Sequence, residues 1–162
     1  MTSTAHVGFR GNAFWAYDVA GSIFLWFLIQ SAEKIPAGDD GHVLAEMIPK
    51  WRISAVVTEL AHYADDEWTS EQIDLVLQLC DDAISAIRKH GDFAASDVES
   101  WPVLDDQRIF TRGHDPIPSE PIARLGEAFV LLLQGQLLLP PNQHLWFYTL
   151  DDEVDTIKMK ST

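Results

Sequence analysis

Residues 13–29 read AFWAYDVAGSIFLWFLI, an unbroken run that is apolar or small except at Tyr17, Asp18 and Ser22. A segment apolar on every side must either cross a bilayer or lie inside a fold that surrounds it. A span needs about 20 such residues, and a carboxylate such as Asp18 is expensive in hydrocarbon. Only Arg10 precedes the run, and no small-residue cleavage site follows it, so a signal peptide is not expected either. The run therefore predicts a helix from about Asn12 to Lys34, buried on most faces, with Trp15 and Trp26 as large core fillers.

A buried helix needs a shell, and the chain is long enough to supply one. Its 162 residues are the length of one domain, with 47% apolar and 22% charged residues. The one cysteine, Cys80, excludes an internal disulfide and suits the reducing cytoplasm.

Periodicity predicts the rest of that shell. A second helical region extends from about His42 to Ala64, with Pro49 expected to break or kink it. Beyond the proline, Ile53, Val56, Val57, Leu60 and Ala61 share a face. A third helix begins at Thr69, where Thr69 and Gln72 have capping-box spacing. Its stripe is Ile73, Val76, Leu77, Cys80, Ile84 and Ile87. Arg88, Lys89 and His90 fill its last turn, and Gly91 suits its end. Residues 92–118 have no sustained period and read as a long ordered loop with a short strand near Ile109. A fourth helix starts near Ser119 and buries Ile122, Leu125, Phe129, Leu132 and Leu133, with Gly135 ending it. Residues 145–160 read as a hairpin turning at Asp151, Asp152 and Glu153. The expected architecture is thus mainly α: one domain over 1–162, a bundle of about four helices closed by a C-terminal β-hairpin.

The net charge of −14 argues against nucleic acid, whose phosphates require clustered cations. The excess is concentrated. Residues 59–106 hold 13 acids and two bases, whereas 1–58 and 107–162 are close to neutral. A merely solvated face usually intersperses both signs, because uncompensated like charge repels itself. Asp65, Asp66, Glu67, Glu71, Asp74, Asp81, Asp82, Asp105 and Asp106 are therefore the candidate contacts to a basic protein partner. Trp68 and Trp101 lie in the same segment, and an exposed aromatic ringed by acids would anchor such a partner.

Other chemistry has weaker support. Glu59 and His62 have the i, i+3 spacing of carboxylate-bridged dimetal bundles, but no second copy of that motif exists. Cys80 lies on an apolar stripe, which makes an inert thiol. His114-Asp115 is the remaining acid–base pair, and an isolated dipeptide says little. No cofactor motif and no nucleophile elbow is found, so no enzyme is expected. Small, acidic, tryptophan-rich and without a catalytic motif, the chain resembles in class bacterial immunity proteins and antitoxins. That class implies a basic toxin domain, for example a nuclease, as the partner. The alternatives are a helical metalloprotein using Glu59 and His62, or an assembly subunit whose apolar first helix forms a homo-oligomer interface.

Overall fold

Residues 4–17 form a β-hairpin, where the apolar run suggested a helix from Asn12. A computed structural model describes residues 4–36, 39–57, 62–137, 145–148 and 157–160, except for the side chains of 39–41 and of the last two stretches. Strand β1 (Thr4–Phe9) pairs antiparallel with β2 (Asn12–Tyr17), Phe9 opposite Asn12. The two residues between them, Arg10 and Gly11, have φ of 50° and 88°. Positive φ at both central positions gives the turn whose twist suits a two-residue hairpin, and glycine adopts it without strain. Alternation then sets the inner face, which buries Ala5, Val7, Phe9, Phe14 and Ala16.

Helix α1 (Asp18–Glu33) follows β2 directly. Asp18 stands in its first turn, where a negative charge favours the helix dipole. The helix is buried almost all round, from Asp18 to Leu25 and again at Leu28 and Ile29. The apolar run is therefore divided between a strand and a central helix. Trp15 and Trp26, expected deep in the core, are only half-buried. No helix among the described residues is long and apolar enough to cross a membrane.

Helix α2 (Asp39–Val56) runs through Pro49 without a break, contrary to expectation. Leu44, Met47, Trp51 and Ala55 are buried at helical spacing on both sides of the proline. That packing offsets the roughly 3 kcal/mol a mid-helix proline costs. The face predicted from Ile53 is also displaced: Ile53 is 39% exposed, and Trp51, Ser54 and Ala55 point inward instead. The Trp51 indole donates to the carbonyl of Tyr63 at 2.9 Å, joining α2 to the chain before α3. Leu60 and Ala61 lie outside the described residues.

Helix α3 (Ser70–His90) has the predicted capping box, Thr69 and Gln72 each satisfying the other's backbone N–H. Val76, Cys80, Ile84 and Ile87 are buried as expected, joined by Leu79 and Ala83. Leu77 and Ile73 are only half-buried. Gly91 ends the helix with φ of 73°.

The long loop has a neck and a small core of its own. Phe93 and Ile117 exchange backbone hydrogen bonds of 2.8 Å. Between them lie the short helix α4 (Ala95–Val98) and the buried side chains of Val98, Val103, Ile109 and Thr111. Ile109 is buried without forming a strand, so burial and not pairing explains that apolar position. Helix α5 (Ser119–Leu133) buries its predicted face and packs on α1 and α3.

Strands β3 (Leu145–Tyr148) and β4 (Ile157–Lys160) complete a mixed sheet in the order β1-β2-β3-β4. β2 and β3 are parallel, with Trp15 opposite Phe147, and β3 and β4 are antiparallel. The expected helical bundle closed by a C-terminal hairpin is therefore incorrect. The sheet starts from an N-terminal antiparallel pair, and the helical part of the chain forms the crossover that a parallel β2–β3 pairing requires. The turn proposed at Asp151, Asp152 and Glu153 lies outside the described residues.

Candidate interaction surface

A helix turns about 100° per residue, which places Glu71, Asp74, Asp81 and Asp82 within roughly 100° of arc along about 16 Å of α3. All four are exposed. The buried residues Val76, Leu79, Cys80, Ala83 and Ile87 are centred on the opposite side, so the stripe faces straight out. The same periodicity that buries one side of α3 therefore gathers its carboxylates on the other.

The remaining predicted contacts are divided. Asp65, Asp66 and Glu67 form the turn leading into α3, with the half-buried Asp65 accepting the Glu67 N–H at 2.9 Å. Asp66 accepts the backbone N–H of Arg10 at 2.8 Å, and the Arg10 guanidinium donates to the carbonyls of Asp66 and Trp68. The hairpin tip thus clamps this turn. Asp105 and Asp106 are exposed but sit elsewhere. The carbonyl of nearby Val103 accepts from Arg52 on α2 at 2.7 Å, and Arg52 also reaches Glu33 on α1. Their turn is moored to the α1–α2 side, away from the outer face of α3.

Four arginines are engaged by carboxylates outside the acidic segment, while Lys89 is exposed on α3 near Asp81 and Asp82. Arg88 extends from α3 to Glu120 and Glu127 on α5, 2.9 Å from each, and Arg124 lies 3.6 Å from Glu120. The hydrogen bonds from Arg88 hold the Glu120 carboxyl below its usual range. Arg112 pairs with Asp18 and Arg52 with Glu33. Among the described residues, no carboxylate of the acidic segment enters an ion pair.

Neither tryptophan is an exposed anchor. Trp68 is 4% exposed and lies beside Phe9, ring centroids 6.2 Å apart. Half-buried Trp101 stacks on Trp26 at 5.5 Å and meets Phe27 and Phe93 edge-on. Both fill space between elements, because an indole next to acids in sequence still packs where the fold leaves room. Cys80 is fully buried, and that burial, with Asp81 beside it, pushes its thiol far above the usual range. His62 is exposed, and its backbone N–H donates to Ser54 Oγ at 2.7 Å. Glu59 lies outside the described residues. Among those described, no group of three or more metal-ligating side chains forms. The apolar surface of α1, offered above as an oligomer interface, is taken up inside the fold.

One cluster was invisible in the sequence. Asp18, 7% exposed, receives Arg112 Nε at 3.0 Å from both its oxygens and Nη2 at 2.7 Å. Beside it the Tyr17 hydroxyl bonds His114 Nε2 at 2.9 Å. Burial and the charge of Asp18 raise the Tyr17 pKa, with Arg112 opposing them. Arg112 has a φ of 54°, a strained region for a side chain, and the charge-assisted bonds to Asp18 hold it there. His114 and Asp115 do not act as a pair, since Asp115 accepts the Ala95 N–H instead. The cluster fastens the long loop to the start of α1.

No family model, no curated protein and no solved structure matches this chain.

Proposed function

We propose that the protein binds and neutralises a cationic partner protein through the outer face of α3, in the manner of an immunity protein or antitoxin. The observation carrying this reading is the stripe of Glu71, Asp74, Asp81 and Asp82, exposed and outside every ion pair among the described residues, while the acids of α5 are matched with arginines. Four like charges on one helix face repel each other, and a protein with arginines to place nearby could have relieved that repulsion. Left uncompensated, the field steers a positively charged partner into contact and disfavours anionic ones, including nucleic acid and acidic membrane surfaces. A basic toxin domain is a partner of the required charge. The reading places the encounter in the cytoplasm, where the lone thiol stays reduced.

The test is rescue. The product of the neighbouring reading frame is expressed with and without this protein, and growth is followed. The proposal expects growth arrest by the neighbour alone, relief by the wild-type protein, and loss of relief with Asp81→Lys/Asp82→Lys. A charge-matched control, Ala45→Lys/Glu46→Lys/Gln136→Lys, alters exposed residues off α3 and should still rescue. Rescue by both variants, or by neither, would remove α3 from the interaction.

A further inference from the structure

Helices α1 and α3 meet along a groove of about 470 Å³, a volume in the range of small-molecule sites. α1 lines it with Phe27, Gln30 and Lys34, and α3 with Asp82, Ser85 and Lys89, each set spaced three or four residues apart along its helix. The charged side chains of the lining are two lysines and one aspartate, a net of one positive charge in a chain whose net charge is −14. Neither lysine enters an ion pair among the described residues. Lys34 is the C-cap of α1, and Lys89 stands in the last turn of α3. At the α1 end the carbonyls of Ser31 and Ala32 already accept the backbone N–H groups of Lys34 and Ile35, so the backbone itself satisfies that end. Phe27, half-buried, is the large apolar side chain of the lining, and it meets Phe93 and Trp101 edge-on at 5.6 Å and 6.0 Å.

We infer that this groove binds a small aromatic monocarboxylate. Lys34 and Lys89 supply the counter-charge for the carboxylate, and the Gln30 amide and Ser85 hydroxyl are neutral donors for its oxygens. The ligand's ring lies against Phe27 and extends the edge-to-face cluster that Phe27 already forms with Phe93 and Trp101. Charge selects this occupant. A cation would face two lysines against one aspartate. A neutral aromatic would leave the lysines without a counter-ion. A phosphate ester or an acidic peptide brings more negative charge than the lining offsets, and the acidic chain repels the excess. The site is independent of the proposed docking face: the two share Asp82 alone, and their ligands have opposite sign.

The test uses the full-length protein and three probes with one ring system: 2-naphthoate, neutral 2-naphthamide and cationic 2-naphthylmethylammonium. Calorimetry at pH 7 and low salt gives the affinities, and amide shifts of the ¹⁵N-labelled protein locate the contact. Naphthoate should bind with a Kd of about 1 mM or tighter, an affinity ordinary for a ligand of its size. It should bind about tenfold more tightly than naphthamide, the advantage of charge-assisted over neutral hydrogen bonds, and the cation should bind more weakly than either. Its shifts should centre on Phe27, Gln30 and Ser85. Lys34→Gln/Lys89→Gln, at two exposed positions, should bring naphthoate down to the affinity of naphthamide. Asp82→Asn removes the one opposing charge and should tighten naphthoate by about threefold. No binding of naphthoate at millimolar concentration would overturn the site. Equal affinities for naphthoate and naphthamide, an unchanged naphthoate affinity in the lysine double variant, or shifts centred away from α1 and α3 would each do the same. None of these failures touches the acidic stripe, whose own test is association with a cationic protein.

Discussion

Gly126 lies in the middle of α5, where that helix approaches both α1 and α3. A Cβ added there would stand 2.7 Å from Ile84 Cγ1 and 2.9 Å from Phe24 Cε1. Two opposed effects meet in Gly126→Ala. Replacing a mid-helix glycine by alanine gains about 1 kcal/mol in helix propensity. Forcing a methyl into a packed interior costs about 1–3 kcal/mol. Neither neighbour is placed to yield. Phe24 is fully buried and sits edge-on to Phe129 at 5.8 Å, and Ile84 is 8% exposed. The steric effect should win, with a net loss of up to about 2 kcal/mol, lowering Tm by up to about 8 °C for a chain of this size. Urea unfolding followed by far-UV circular dichroism measures it. In an Ile84→Ala background the nearest obstacle is gone, so the same substitution should cost about 1 kcal/mol less, a coupling expected of touching residues. If Gly126→Ala stabilises the wild type by about 1 kcal/mol, or acts identically in both backgrounds, α1, α3 and α5 do not pack as described.

The same packing makes further predictions. Leu79→Ala should cost about 2–5 kcal/mol in urea unfolding, and Leu77→Ala distinctly less, because Leu79 is buried and Leu77 only half so; equal losses would mean that α3 is rotated. Cys80, buried and with its pKa raised, should react with a thiol reagent only as the protein unfolds, so labelling at native rates typical of a free thiol would contradict its placement. Glu120 has a lowered pKa in the fold, so its contribution is present above the unfolded value of about 4.3 and is lost as pH falls through the folded value. The side chain is 47% exposed, and solvent screening limits the effect to less than about 1 kcal/mol. Glu120→Gln should remove that part of the acid dependence, and an unchanged stability–pH curve would show that Arg88 does not hold it.

What could be read without the structure was local in origin. The capping box at Thr69 and Gln72 and the inward face of α5 depend on residues three or four apart, and both helices formed where expected. The N-terminal hairpin was obscured for two physical reasons. Its turn is Arg10-Gly11 and not the more telling Asn-Gly, and β2 carries Ala13, Phe14, Trp15, Ala16 and Tyr17, whose outward positions are also apolar. With no polar alternation and no spacer before Asp18, strand and helix merged into one apolar run. Pro49 misled because a local rule was overridden by tertiary packing through Leu44, Met47 and Trp51. The carboxylate stripe was visible because helix geometry fixes it, whereas the burial of Trp68 depends on Phe9 across the fold. The Asp18–Arg112 pair joins residues 94 positions apart, and no pattern in one chain announces it.

If the exposed carboxylates of α3 draw in a cationic partner, the rate of association with the product of the neighbouring reading frame depends on them and on salt. Stopped-flow measurements from about 10 mM to 150 mM salt span Debye lengths of roughly 30 Å to 8 Å. Wild-type association should slow steeply over that range. Asp81→Lys/Asp82→Lys should reduce the low-salt rate by about tenfold or more and flatten its salt dependence, while Ala45→Lys/Glu46→Lys/Gln136→Lys, with the same change in net charge, should stay close to wild type. If the two variants slow association equally, only overall charge matters; if the α3 reversal leaves the rate unchanged at low salt, the stripe is a solvated surface and the partner binds elsewhere.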